Sequence, residues 1–299
     1  MGGEQTYEAA GVSIAKGDAV VERLRAAVES TGATGFGAFA GLHPLGDGRL
    51  LAASTDSVGT KLILARQRGA LRACGADLAA HCINDVITSG AEPLIFLDYV
   101  AANRIDLEQV ADLVEGAAEV CRDAGVALVG GETAELPGIY RDEEIDFAGT
   151  CVGIVDGDRV VDGSQVEEGD AVVGFRSAGV HANGFTLVRR VLDIEDYSGE
   201  DLLAPTRLYI DDVRRLREAA RAFAHVTGGG ILGNLSRVLP GDLRAEIDWD
   251  AWERPPVFAW LARHVAEDEL RRVFNLGIGY LAVVRDPGDD LVIGRIVHR

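Results

Sequence analysis

The sequence predicts an α/β (α+β) chain of two domains, residues 1–157 and 158–299, each a mixed sheet flanked by helices. Three observations carry this. Strand-like and helix-like segments alternate through both halves. A polar, glycine-bearing stretch, "DGDRVVDGSQVEEGD" (156–170), interrupts the alternation midway. Finally, 299 residues with 47% hydrophobic and 26% charged side chains suffice for two ordinary cores.

In the first half, apolar residues at helical spacing predict a helix over 17–30, stopped by Thr31-Gly32. "TGATGFGAFAGL" (31–42) reads as a loop or a close backbone approach. A strand at 49–54 runs into "TDSVGTK" (55–61), and 75–90 reads as a buried helix. On it Asp77, His81 and Asp85 recur every fourth residue and share one face. A strand (93–102), an amphipathic helix (107–124) and a strand (126–132) follow. Gly130-Gly131 then opens a loop (130–138) before a long strand (145–156). The second half reads as a strand (171–177), a Gly/Asn loop (179–184), helices at 185–193 and 206–220, and a strand (223–227). "TGGG" (227–230) turns into a helix (231–238), and weaker strands lie near 243–248, 278–284 and 291–297.

A net charge of −19 excludes polyanionic partners such as nucleic acid and anionic membranes, while a small phosphate ligand remains open if divalent cations bring it in. No apolar run approaches a membrane span, and the first residues lack a secretory pattern. Cys74, Cys82, Cys121 and Cys151 are scattered and read as reduced thiols of a cytoplasmic protein. Only Lys16 and Lys61 are lysines among 29 basic residues, so a lysine kept inside a motif points to a need for a compact ammonium.

Four constellations bear on chemistry. "STDSVGTK" has the wrong order for a phosphate loop, but it places Asp56 five residues before Lys61. An acid there can hold Mg²⁺ while the ammonium meets phosphate; the plainer reading is a surface ion pair. In "GADLAAHCINDV" (75–86), Asp77 and Asp85 sit in an apolar helix and need partners, either a cation or solvent and caps. His81 reads there as a satisfied core side chain. "GGETAELPG" (130–138) supplies Glu132 and Glu135, oxygen donors that suit Mg²⁺ over zinc. "SAGVHANG" (177–184) and "HVTGGG" (225–230) each set flexible backbone ahead of a helix, where exposed amides can hold an anion. His181, in a loop, is a candidate catalytic or orienting group; His225 reads as structural.

With "YEAAGVSI" (7–14), "GFGAF" (35–39), "STDSVGTK" (54–61), "DLAAHCINDVITSGAEPLIFLDY" (77–99), "GGETAELPG", "AGTCVG" (148–153), "SAGVHANGFTLVR" (177–189), "LLAPTRLY" (202–209), "HVTGGGILGNLSRVLP" (225–240) and "FNLGIG" (274–279) in order, the chain resembles the phosphoribosylformylglycinamidine cyclo-ligases over nearly its whole length. The resemblance implies a step of purine biosynthesis in which ATP activates a formyl oxygen and an amidine nitrogen closes an imidazole ring. It implies ATP and Mg²⁺ as cofactors and a homodimer whose first-domain sheets pair into a barrel. By the same resemblance Asp56, Asp85 and Glu132 hold the metal, and Lys61 meets the ATP phosphates. Asp77, Asn84 and Thr133 support the nucleotide. Ser177, His181, Asn183, Thr227, Gly228, Gly229 and Gly230 lie near the ribonucleotide, with His181, Asn183 and Lys61 closest to the chemistry. The sequence departs from the family at Ala9, Ser13, Ser57 and Val180, and "LAVVRDPGDDLVIGRIVHR" passes almost directly between two strands where a helix normally lies. These departures keep open a second reading, a non-catalytic paralogue serving as dimer partner or scaffold, and a third, another ATP-using enzyme of the superfamily.

Overall fold

The computed structural model describes residues 5–33 and 36–299, apart from the side chain of Asp18. Residues 1–4, and Thr34 and Gly35 of the expected 31–42 loop, lie outside the described residues.

The first sheet contains β1 (Gly41–Pro44), β2 (Arg49–Ser57), β3 (Glu92–Ala102), β4 (Ala127–Glu135) and β5 (Ile145–Asp156), ordered β1-β2-β5-β3-β4. All its pairs are antiparallel except β3–β4. That parallel pair needs a crossover, which α4 (Leu107–Ala124) supplies. The Asp106 side chain accepts from the Gln109 amide to start α4, and left-handed Gly125 ends it. Burial alternates along β5. Phe147, Gly149, Cys151, Gly153 and Val155 are buried, whereas Ala148, Thr150, Val152 and Ile154 are only half-buried. One face is therefore covered, by α3 (Leu71–Ile87) backed by α4. The two helices come close because Gly75 and Gly116 have no side chain. A methyl group on either would collide with a carbonyl of the other helix.

The second sheet contains β6 (Ala171–Arg176), β7 (Ala220–His225), β8 (Leu243–Ile247), β9 (Ile278–Val284) and β10 (Val292–His298), ordered β7-β9-β6-β10-β8 and antiparallel throughout. On one face Val172, Leu281 and Ile293 pack with Ile231 and Leu235 of α7 (Gly230–Leu235). On the other, Val173, Phe175 and Tyr280 join α6 (Ile210–Leu216) and the core around α3. Helix α3 thus touches both sheets. A third cluster around Trp260 unites α5 (Phe185–Leu192), α8 (Pro256–Leu261) and α9 (Glu267–Val273). The N-terminal segment belongs spatially to this cluster, since the Tyr7 amide donates to Glu269 Oε1. Helix α1 (Ile14–Glu29), which follows it, is largely exposed.

Several expectations change. The segment 130–138 does not begin as a turn: β4 runs on through Gly130 and Gly131 to Glu135, held by parallel pairing with β3. The helix expected over 206–220 is confined to α6, because 206–209 is hydrogen-bonded to α3 instead. Strand β1 and helices α2 (Lys61–Gln67), α8 and α9 are too short to leave a clear period in the sequence. The direct passage between the last two strands is present: seven residues, 285–291, join the mutually parallel β9 and β10 across β6. Asp290 in this connection accepts from both Arg215 nitrogens at 2.8 and 2.9 Å. The β8–β10 face without a helix is polar. Arg244 and Arg295 both pair with Glu246, each at 3.2 Å.

Candidate active site

Strand β1 begins at Gly41 opposite Ala53, so among the described residues the outer edge of β2 beyond Ala53 has no strand partner. This edge borders a cavity of about 890 Å³. Ser54 and Thr55 of β2, Arg25 of α1, Phe39, Gly228-Gly229 and Arg237 line it. The cavity lies between material of the two sheets, and of its two lining arginines Arg25 pairs with Glu22, also in the lining, at 3.0 Å.

Behind Ser54 lies a buried network. Asp56 points to the covered face of β2 and bonds His81 Nδ1 at 3.2 Å through Oδ2. His81 lies edge-on to His225, with ring centroids 5.0 Å apart. His225 Nδ1, at the end of β7, bonds Asp85 Oδ1 at 2.8 Å, and Ser54 donates to Asp85 Oδ2 at 3.0 Å. Asp56 and Asp85, expected at a metal from the family resemblance, are thus linked through two imidazoles read as core or structural side chains. Burial, the largest single influence, opposes protonation of His81, but its bond to Asp56 together with the charges of Asp56, Asp77 and Asp85 raises its pKa. Burial of Asp56, again the largest single influence, opposes its charge, but the bond and charge of His81, the Ser57 amide and His225 together lower the carboxyl's pKa. For His225 burial wins over Asp85 and the pKa falls. His81 Nε2 and His225 Nε2 are buried without a hydrogen-bond partner among the described residues.

One helical turn away, Asp77 serves another purpose. It pairs with Lys61 Nζ at 2.6 Å, and both side chains are 0% exposed. The ammonium also donates to the carbonyls of His181 (2.8 Å) and Ala204 (3.1 Å). Asp77 Oδ1 accepts from the Thr206 amide and hydroxyl, both at 2.8 Å. Asn84 donates to the Arg207 carbonyl and accepts from the Tyr209 amide. Lys61, Asp77 and Asn84 therefore clamp 204–209 to α3, and none of the three lines the cavity.

Of the three residues expected at a metal, Glu132 lies apart from Asp56. Asp56 is level with Gly149, Asp98 and Gly131, whereas Glu132 is level with Tyr99, Ala148 and Ser57. Glu132 is therefore on the opposite face and three strands away, about 14 Å. It accepts from the Thr133 amide, and both residues are exposed on the edge strand, away from the cavity. Among the described residues no group of three or more His, Cys, Asp or Glu side chains is arranged to hold a metal.

In the second half, Asn183 Oδ1 approaches Gly228, so the 177–184 loop meets the 227–230 turn. The Asn234 amide, missed in the sequence, braces that turn by donating to the carbonyls of Thr227, Gly228 and Gly230. Thr227 Oγ1 donates to Asn234 Oδ1 at 3.2 Å. Gly229 and Gly230 have φ of 105° and 62°, and a side chain at Gly230 would strike the Arg271 carbonyl. Ser177 Oγ bonds inward, to the Gly179 carbonyl and Asn275. His181 is buried rather than open to the cavity and has φ of 64°. Its Nε2 accepts from the Ala178 amide at 3.1 Å. Burial first, then the neighbouring His81 and His225, hold its pKa well below the ordinary value, so the ring is neutral.

The matching family models are AIR synthase related protein, N-terminal domain, over residues 37–155, and its C-terminal domain, over 167–294. A phosphoribosylformylglycinamidine cyclo-ligase of Synechococcus sp. (strain CC9605) is 46% identical over 96% of this chain and 90% of that protein. The chain belongs to the phosphoribosylformylglycinamidine cyclo-ligase family. This is a family of ATP-dependent ligases. Its member from Nitrosococcus oceani is 44% identical over 98% of this chain and 91% of its own length. In three dimensions the chain is similar to AaThiL complexed with AMPPCP and TMP, at 17% identity and a TM-score of 0.67, covering 92% of this chain and 90% of that one. That likeness places the cyclo-ligase fold beside a protein solved with a nucleotide analogue. No helix among the described residues is long and apolar enough to cross a membrane.

Proposed function

We propose that this cyclo-ligase closes formylglycinamidine ribonucleotide to aminoimidazole ribonucleotide, converting ATP to ADP and phosphate, in purine biosynthesis. The observation that carries the reading is the pair Asp56 and Asp85, set behind the cavity wall where β2 meets the 227–230 turn. The formyl oxygen attacks the γ-phosphorus of ATP and ADP leaves. The amidine nitrogen then attacks the formyl carbon, and phosphate departs with the former formyl oxygen. No protein nucleophile is needed, so the chain acts by positioning and electrostatics.

The donor set fits Mg²⁺ carried by a nucleotide. Each oxygen of Asp56 and Asp85 has one hydrogen-bond partner and keeps a lone pair, and Mg²⁺ commonly takes one or two carboxylates with phosphates and water. Asp56 and Asp85 would hold it, and when bound it neutralises charge on the transferred phosphoryl group. Asn183, Thr227 and Gly228 to Gly230 border the ribonucleotide, with Arg237 in the cavity lining. His181 and Lys61 act from beneath by fixing the 177–184 loop. The protein works as a homodimer in the cytoplasm, where its four buried thiols stay reduced.

Purified protein should release phosphate from ATP only when the formamidine ribonucleotide and Mg²⁺ are both present. Release without the ribonucleotide would point to another reaction of the superfamily. No release in low or molar salt would favour a scaffold.

A further inference from the structure

We infer that His81 and His225 are positioning residues that hold Asp56 and Asp85 as an aligned pair, so that each cation-binding carboxylate is set from behind by an imidazole. The inference rests on the reading of those two carboxylates as the Mg²⁺–nucleotide ligands. Four side chains make one chain of contacts, Asp56–His81–His225–Asp85, with links of 3.2 Å, 5.0 Å between ring centroids, and 2.8 Å. They come from three elements: Asp56 from β2, His81 and Asp85 from adjacent turns of α3, and His225 from β7 of the second sheet.

Bonding Nδ1 to a carboxylate fixes the orientation of each ring. It leaves each Nε2 buried and unpartnered among the described residues, an arrangement that costs stability and that a purely structural core would replace with an apolar side chain. What the imidazoles add is direction for the carboxylates. Asp56 and Asp85 remain 35% and 14% exposed, whereas His81 and His225 are 3% and 0% exposed. Carboxylates that must meet a cation in a fixed geometry lose affinity when the groups orienting them are removed. Because His225 is two residues before Thr227, the pairing also ties the turn at the ribonucleotide side of the cavity to Asp85.

The test is Mn²⁺ binding in the presence of AMPPCP, followed by electron paramagnetic resonance on full-length protein, with no turnover required. His81→Leu and His225→Leu should each weaken Mn²⁺ binding by roughly tenfold or more, while His81→Asn and His225→Asn, which keep a donor at the Nδ1 position, should stay within about threefold of wild type. Leu variants with wild-type Mn²⁺ affinity, or Asn variants no better than Leu, would overturn the inference. If a Leu variant does not fold, the comparison passes to Asn against Gln, whose nitrogen mimics Nε2 instead; equal affinities there would also overturn it. Failure of wild-type protein to bind Mn²⁺–AMPPCP is a separate outcome, and it would sink the functional reading itself.

Discussion

Asp85 accepts one hydrogen bond from each half of the molecule, from Ser54 of β2 and from His225 of β7. Asp85→Asn removes its charge but not its size. The Mg²⁺ concentration for half-maximal rate should rise by about tenfold or more with little change in melting temperature. An unchanged Mg²⁺ dependence would remove Asp85 from the metal site. His181 gives a prediction about pH. Its pKa is depressed in the folded state, so as pH falls below about 6.5 the unfolded chain takes up a proton that the native ring refuses. The stability held by the neutral ring is therefore full above that pH and declines below it. His181→Gln should reduce this decline between pH 7 and 5, measured by denaturant unfolding; parallel curves for the two proteins would contradict it. Asp77, His81 and Asp85 were legible as one face because i, i+4 spacing is geometric. Their separate duties were not legible, because Lys61, Asp56 and His225 reach them from distant parts of the chain.

Among the elements, α2 and the 204–209 segment decide how the halves join. Lys61→Met should destabilise the fold by about 3–5 kcal/mol, since it strands the Asp77 carboxylate in a dry environment. Lys61→Met combined with Asp77→Asn should recover part of that loss, because Asn can still accept from Thr206. Additive losses in urea unfolding would show that the pair is not the latch. The sequence made Lys61 conspicuous by the rarity of lysine, and a compact ammonium suits a buried socket of two carbonyls and a carboxylate as well as a phosphate. The Gly-Gly pair at 130–131 misled in the opposite direction. Gly131 relieves crowding against Asp98 within a continuous strand, where the local pattern reads as a turn.

At the scale of the molecule, the first sheet has one face without helices. It carries Leu97 and Val129, at 38% and 56% exposure, near the half-buried Val152 and Ile154. Such a face fits the proposed homodimer. Leu97→Glu with Val129→Glu should shift the sedimentation coefficient to that of a single chain without unfolding it; a wild type already monomeric at micromolar concentration would contradict the dimer. The two-sheet architecture was readable because strand and helix periods alternate through both halves. The cavity was not, since it forms from the start of β1, a turn from the far half of the chain and an exposed helix, and no local pattern records that meeting. The central claim is that ATP activates the formyl oxygen in this cleft. The most direct test supplies ribonucleotide labelled with oxygen-18 at the formyl group and examines the released phosphate by mass spectrometry. One labelled oxygen in each phosphate is the predicted result; unlabelled phosphate formed alongside the imidazole product would contradict it.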